Sequence, residues 1–395
     1  MGQKRAVIIV IDSMGVGALP DFALFDDKQG NTLGNVAEKC GGLDMPNLGQ
    51  LGLGNIIPVL GVPAEQTPLA AYGKMAELSQ GKDTTTGHWE MAGICTEKPM
   101  PVYPEGFPED LINELEAKTG REVLCNKPSS GIEVIEKYGD EHMRTGALIV
   151  YTSMDSVFQI AAHEEIVPVE ELYDICLIAR NILIGENEVG RVIARPFLGQ
   201  SGDYYRTDRR RDFSIEPPQG HLLDGLAENN IPVIAIGKIS DVFAGRSVSV
   251  NLPAGNNQLV CEQLLYALDT YRKGMIFANF NDFDSKYGHR NDCAGYGKAL
   301  EIFDSWLPEI ISRLNKDDIL FITADHGNDP TTASTDHNRE YVPLLVYGTG
   351  IKKGVSLGTR ETFADLGMTV ADYLGVQPLQ IGRSMLPEIR GERIE

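Results

Sequence analysis

Positive charge is scarce in this chain. Only 35 Lys and Arg stand against 56 Asp and Glu, a formal net charge of −21 at pH 7. Nucleic acid and anionic membranes are polyanions, so this balance argues against both as partners. A small anionic substrate stays compatible, because a local cluster of basic groups or metal decides its binding. Cysteine is scarce too. Cys40, Cys95, Cys125, Cys176, Cys261 and Cys293 form no C-x-x-C pair. A chain of 395 residues needs no disulfide staples, so these read as reduced thiols of a cytoplasmic protein. No apolar run approaches the length of a membrane span. The run Ala6 to Ile11 is too short for a signal peptide and ends at Asp12 rather than at a small-residue cleavage site. Ala6 also stands where a myristoylation signal needs Ser or Thr. Internal repeats and low-complexity segments are absent. What remains, 42% hydrophobic and 23% charged residues, is the composition of a large packed enzyme of one big domain or two.

Apolar runs and amphipathic stretches alternate. Strands are expected at Ala6–Ile11, Ala147–Tyr151, Arg191–Ala194, Val233–Ile236, Met275–Phe280, Ile319–Thr323 and Leu344–Tyr347. Helices are expected at Pro108–Thr119, closed by Gly120, and at Leu172–Ile184, His221–Glu228, Gln258–Tyr271, Tyr296–Leu314 and Thr362–Leu374. This rhythm predicts an α/β fold with a mostly parallel sheet flanked by helices. Proline-rich crossings at Lys98-Pro99-Met100-Pro101 and Glu216-Pro217-Pro218 bracket a stretch of different character. The domain expectation is therefore a core of residues 1–98 and 218–395 with a smaller α/β cap, 99–217, inserted into it.

Metal-ligand residue types gather at the expected strand ends. Asp12 ends the first strand. Asp284 and His289 follow Met275–Phe280. Asp325 and His326 follow Ile319–Thr323, and His337 comes shortly after. In a parallel sheet the carboxyl ends of all strands share one edge, so groups distant in sequence converge there. Three carboxylates and three imidazoles suffice for two metal ions with three protein ligands each, both with open positions for substrate. Taken singly, each of these reads as a capping Asp or a satisfied polar His. Three of the chain's 7 His fall in the set, and it is the joint pattern that points to metal.

A nucleophile candidate sits in Gly81-Lys82-Asp83-Thr84-Thr85-Thr86-Gly87-His88-Trp89-Glu90. A hydroxyl becomes an effective nucleophile when a metal or base activates it. The pattern leaves the three threonines equivalent, and a polar turn with a helix N-cap is the plainer alternative.

These residues resemble the bacterial phosphopentomutase family of the alkaline-phosphatase superfamily. The resemblance spans essentially the whole chain. It is carried by Val10-Ile11-Asp12-Ser13-Met14-Gly15-Val16-Gly17, the Gly81–Glu90 loop, Tyr151-Thr152-Ser153-Met154-Asp155-Ser156, Ala161-Ala162-His163-Glu164-Glu165, Gly190 to Phe197, Ile234 to Ile239, Asp284 to His289, Ile322 to Asp329 and His337-Asn338-Arg339-Glu340. It implies an alkaline-phosphatase-like core with an inserted cap. It implies that Thr84 carries the phosphoryl group, that Asp284, His289 and His337 hold one metal, and that Asp12, Asp325 and His326 hold the other. Two Mn²⁺ per chain are implied, with a sugar bisphosphate such as glucose 1,6-bisphosphate as activator. Ser153, Asp155, Arg191, Arg206 and Lys238 match or lie near positions that hold the sugar phosphate; Arg195 and Arg209 to Arg211 crowd the same region.

The implied reaction interconverts ribose 1-phosphate and ribose 5-phosphate, and the deoxyribose pair, through a pentose 1,5-bisphosphate. Three rivals share part of the pattern. A cofactor-independent phosphoglycerate mutase uses Ser where this chain has Thr84. A metal-dependent phosphatase or sulfatase needs neither this cap nor a retained phosphoenzyme. A non-catalytic binder has no need of the nucleophile. The expected partners are small sugar phosphates, and both a monomer and a weak oligomer are compatible with the sequence.

Overall fold

The structure is a computed structural model and describes residues 4–25, 27–153 and 156–390. It divides into two compact units, Met1–Lys98 with Pro217–Glu395, and Pro99–Glu216.

The first unit is built on an eight-stranded sheet. Its spatial order is Val250–Leu252, Val233–Ile236, Gly274–Phe280, Arg5–Ile11, Asp318–Thr323, Val342–Tyr347, Ala71–Met75 and Ser356–Arg360. The central strands are buried at every position. Helices such as Asn257–Thr270, Cys293–Ser312 and Ala364–Leu374 accompany them, which explains why these strands read as unbroken apolar runs. Arg5–Ile11 pairs in parallel with both neighbours. Its carboxyl end, followed by Asp12, therefore lies beside the carboxyl ends of Gly274–Phe280 and Asp318–Thr323.

Seven of the eight strands run in one direction. Val342–Tyr347 is antiparallel to both its neighbours, and Ser356–Arg360 returns parallel to Ala71–Met75. A strand after Asp325 was expected, but the reversal was not. Pro343 lies just beyond the Asp318–Thr323 ladder, which stops at Leu344, and is registered with Lys74 of Ala71–Met75. Ala71–Met75 was not expected from sequence. It is short, half-buried and interrupted by Gly73, so its period-two signal is weak.

The second unit has its own sheet, in the order Val123–Pro128, Leu148–Thr152, Val157–His163, Arg191–Leu198 and Tyr205–Arg206, with Arg211–Ser214 also on Arg191–Leu198. Pairing is mixed, parallel and antiparallel. Alternate residues feed two cores. Leu148, Val150, Phe158, Ile160, Val192 and Ala194 pack with Leu111, Leu115, Leu172 and Ile175 from helices Glu109–Thr119 and Val169–Ile182. Ile149, Tyr151, Ala161 and Phe197 pack with Val134 and Ile135 of helix Gly131–Thr145. That helix and the strand Val157–His163 were not foreseen. The strand is buried on both faces and carries Gln159 and His163, which break its apolar pattern.

Candidate metal and phosphoryl-transfer site

The site grows from the carboxyl ends of three parallel strands. Asp12 follows Arg5–Ile11 and is fully buried. The next residue, Ser13, turns the chain in the left-handed region at φ 66, and its N–H donates to Asp325 Oδ1 at 3.0 Å. Asp325 and His326 follow Asp318–Thr323, both buried. Beyond Gly274–Phe280, Asp284 lies in a short helical turn, Phe283–Tyr287, and His289 in the next, Gly288–Arg290.

All six expected ligands belong to this one unit, and they meet. Asp12, Asp325 and His326 offer atoms within 4.8 Å of one another, as do Asp284, His326 and His337. The His326 Nε2 lies 3.5 Å from Asp12 Oδ1 and 3.4 Å from Asp325 Oδ2. The His289 Nε2 lies 3.2 Å from Asp284 Oδ2 and 3.1 Å from His337 Nε2, which is itself 3.3 Å from Asp284 Oδ1. Ligand atoms about 3.0–3.4 Å apart are what metal bonds of about 2.1 Å produce at octahedral or tetrahedral angles.

The donor set fits a divalent metal on further grounds. Asp12 Oδ1 is buried and accepts no hydrogen bond. A buried carboxylate oxygen without a donor is costly unless a cation meets it. The ring orientations agree. His326 Nδ1 faces the Gly327 carbonyl at 3.1 Å and His289 Nδ1 faces the Thr335 carbonyl at 2.6 Å. With the proton held on Nδ1, the Nε2 lone pair is left for a metal.

Electrostatics are strained in the same way. Burial, with Asp325 nearby, drives the Asp12 pKa well up against the pull of Lys238. Burial also pushes His326 down to about 4, so its imidazole stays neutral, as a ligand requires. For Asp284 burial works upward, but His337 and His289 outweigh it and hold the carboxyl well below its usual range.

Thr84 separates from its two neighbours. Asp83 is the N-cap of helix Thr84–Met91 and accepts from the Thr85 and Thr86 N–H groups. Thr85 and Thr86 are buried, and the Thr86 hydroxyl is spent on Asp83 Oδ2 at 2.6 Å. Thr84 Oγ1 instead lies 3.2 Å from His326 Nε2 and accepts from Lys238 Nζ at 2.9 Å. It sits in the first turn of the helix, where the dipole favours negative charge. Gly87 allows this approach, since a Cβ there would collide with the Asp325 carbonyl. The expected N-cap is therefore present, at Asp83.

Of the residues expected near sugar phosphate, Lys238 belongs to this unit. Its Nζ lies 2.5 Å from Asp12 Oδ2. Burial works to lower its pKa, but Asp12, Asp325 and Asp284 prevail and keep the ammonium charged. Ser153, Arg191 and Arg206 belong to the second unit. Ser153 follows Leu148–Thr152. Arg191 Nη1 is 3.5 Å from Asp212 Oδ2, and the Arg206 guanidinium lies over Gly131 at the start of helix Gly131–Thr145. Burial and the neighbouring Arg210 push Arg195 down to about 10. Asp155 lies outside the described residues.

Sequence reasoning missed His88 and Asn328. His88 is fully buried, with Nδ1 at 2.8 Å from the Thr84 carbonyl and 3.3 Å from Asp325 Oδ2. Asn328 donates to Asp284 Oδ1 at 2.8 Å. Both lie inside motifs already singled out, and only contact distances reveal what they touch.

The description "Metalloenzyme superfamily" belongs to a family model that matches residues 4–378. A phosphopentomutase of Dictyoglomus thermophilum is 55% identical over 98% of this chain and 99% of its own length. One of Carboxydothermus hydrogenoformans is 56% identical over 98% and 100%. The chain belongs to the phosphopentomutases of the metalloenzyme superfamily. As a phosphopentomutase it binds divalent metal, which the clustered carboxylates and imidazoles accommodate. The PH0037 protein of Pyrococcus horikoshii shares the fold at TM-score 0.50 and 14% identity, over 95% of this chain and 98% of that one. The α/β class with a mostly parallel core sheet is as expected. Among the described residues no helix is long and apolar enough to cross a membrane.

Proposed function

We propose that this phosphopentomutase interconverts ribose 1-phosphate and ribose 5-phosphate, and the 2-deoxyribose pair, in the cytoplasm, with Thr84 as the phosphoryl carrier. The observation that carries the role of Thr84 is its hydroxyl, set between His326 and Lys238 at a helix N-terminus. Two manganese ions, one on Asp284, His289 and His337 and one on Asp12, Asp325 and His326, would supply Lewis-acid stabilisation of charge on the transferring phosphoryl group.

The side chains do the rest. The incoming sugar phosphate presents its free hydroxyl to phospho-Thr84. The bond from phosphorus to Thr84 Oγ breaks as a bond to the sugar oxygen forms, giving the pentose 1,5-bisphosphate. Its other phosphoryl group then returns to Thr84 Oγ. The Lys238 ammonium, 2.9 Å from Thr84 Oγ1, offsets the negative charge that this oxygen gains on leaving. The helix N-terminus acts in the same sense. Ser153, Asp155, Arg191 and Arg206 of the inserted unit would bind the sugar phosphate, the arginines being suited to bidentate contact with the phosphate that does not react. A sugar bisphosphate such as glucose 1,6-bisphosphate would prime Thr84.

Purified protein with Mn²⁺ should convert ribose 1-phosphate to ribose 5-phosphate in a coupled assay, with little inorganic phosphate released. Dominant phosphate release would sink the mutase reading in favour of a phosphatase. Intact-protein mass spectrometry after bisphosphate treatment should find one added phosphoryl group that Thr84→Ala lacks.

A further inference from the structure

Residues 77–81 lead directly into the Asp83–Thr84 cap and have neither helix nor strand of their own. Backbone N–H and C=O groups in such a segment need other partners. Here two buried charges of opposite sign supply them. On the carbonyl side Arg339, 1% exposed, donates to the carbonyls of Glu77 at 2.9 Å, Ser79 at 2.8 Å and Gly81 at 2.6 Å. Its charge is met by the Glu77 carboxylate at 2.7 Å and Asp21 at 3.0 Å. On the amide side the fully buried Glu90 accepts from the N–H groups of Leu78 at 2.9 Å and Ser79 at 2.6 Å. The same carboxylate takes the Thr362 hydroxyl at 2.7 Å and the Phe363 N–H at 3.0 Å.

The two charges are not placed at random in the chain. Glu90 is on helix Thr84–Met91, whose first residue is Thr84. Arg339 comes two residues after His337. One end of the segment's support therefore moves with the hydroxyl and the other with the imidazole cluster. We infer that Arg339 and Glu90 are positioning residues: they clamp residues 77–81 from both sides and so set where the Thr84 hydroxyl stands relative to His326 and Lys238. This rests on the reading of Thr84 as phosphoryl carrier.

The donor geometry makes the claim specific. Three carbonyls and two carboxylates take all the donors a planar guanidinium can fan out, whereas an ammonium at the same place has three. Glu90 uses both oxygens as acceptors. A glutamine there would turn an NH₂ toward backbone N–H groups or the Thr362 hydroxyl. Neither group touches the reacting atoms, so loosening the clamp displaces the nucleophile without altering the groups of the inserted unit.

The test uses the full-length, Mn²⁺-loaded enzyme and the variants Arg339→Lys, Arg339→Ala and Glu90→Gln, assayed well below their thermal midpoints. Arg339→Lys and Glu90→Gln should each lower kcat on the order of 10²-fold, the scale of a nucleophile misplaced by about 1 Å. KM for ribose 5-phosphate should stay within about threefold, because the interactions lost are not substrate-binding ones. Metal content should stay at the wild-type level. Guanidinium ion should restore part of the kcat of Arg339→Ala and none of that of Glu90→Gln, a rescue that a general loss of packing would not give. Wild-type kcat in both Arg339→Lys and Glu90→Gln, with Thr84 phosphorylated in each, overturns the inference alone. So does a loss of kcat that follows loss of bound metal, which would place the effect at His337. If the Arg339 variants fail to fold, Glu90→Gln decides by the same kcat, KM and metal readings. Absence of a phosphoryl group on Thr84 in primed wild type instead removes the reading beneath the inference.

Discussion

The histidines of the inserted unit differ from His326 and His289 of the core in how their second nitrogen is used. In the inserted unit His142 is fully buried, with Nδ1 on the Ala147 carbonyl at 2.6 Å and Nε2 accepting the His163 N–H at 2.8 Å. His163 is likewise engaged on both nitrogens, by the Gly199 carbonyl and the Glu165 N–H. In the core His326 and His289 are anchored by Nδ1 to a backbone carbonyl, while Nε2 turns to carboxylates and to another imidazole. A ring whose two nitrogens both bond to backbone is structural. A ring tethered on one side and aimed at carboxylates on the other is arranged for a ligand. The same chain thus contains both kinds, and composition does not separate them.

The largest expected effect tests the hydroxyl toward which the core cluster points. Thr84→Ala should lower mutase activity on the order of 10³-fold or more in the coupled assay, as loss of a covalent nucleophile does. Activity near wild type would remove Thr84 from the mechanism. Next comes the metal. His337→Asn should lower bound Mn²⁺, read by elemental analysis, and reduce kcat at least about 10²-fold, whereas His142→Asn should leave metal content unchanged. If His142→Asn sheds metal as readily, the contrast between the two units collapses.

The third effect is on stability. His142→Asn loses two buried hydrogen bonds and should destabilise the fold by about 1–3 kcal/mol in denaturant titrations. The same site gives a pH signature. Burial holds the His142 pKa below its ordinary value. Below pH about 6.5 the unfolded chain takes up the proton before the folded one does, so stability is lost as pH falls from there toward the folded pKa. The wild-type denaturant midpoint should fall across that window, and the slope should flatten in His142→Asn. An unchanged slope would place the titrating group elsewhere. The smallest effect belongs to Lys82 and Asp336, paired at 2.8 Å with both side chains partly exposed. Lys82→Met should change stability by less than about 1 kcal/mol, and less still at high salt.

Much of the core was legible because its signals are local. The runs Ala6–Ile11, Met275–Phe280 and Ile319–Thr323 are apolar throughout because both faces are covered, and all three are strands with at most a residue's difference at the ends. Gly120 closes the helix Glu109–Thr119 in the left-handed conformation, as its position suggested. The convergence of Asp12, Asp284, His289, Asp325, His326 and His337 followed from one rule about parallel strands, and the distances agree with it. Less was legible where a residue's partner lies far along the chain. The reversed direction of Val342–Tyr347 is set by its neighbours and not by its own six residues. Arg339 gave no sign of its role, because its partners lie some 260 positions away.

By itself, the sequence determined the central core strands and the kinds of chemistry available. Hydrophobic periodicity is a property of neighbouring residues, and the carboxylate, imidazole and hydroxyl groups are written in the chain. Only the tertiary structure decided which of three adjacent threonines faces the imidazole cluster. That choice depends on the Asp83 cap turning Thr86 inward and on Gly87 letting the helix reach the Asp325 strand end. It also decided that Lys238 stands against Asp12 and Thr84. Both are contacts across large sequence separations, and such contacts exist only once the sheet has brought its strand ends to one edge.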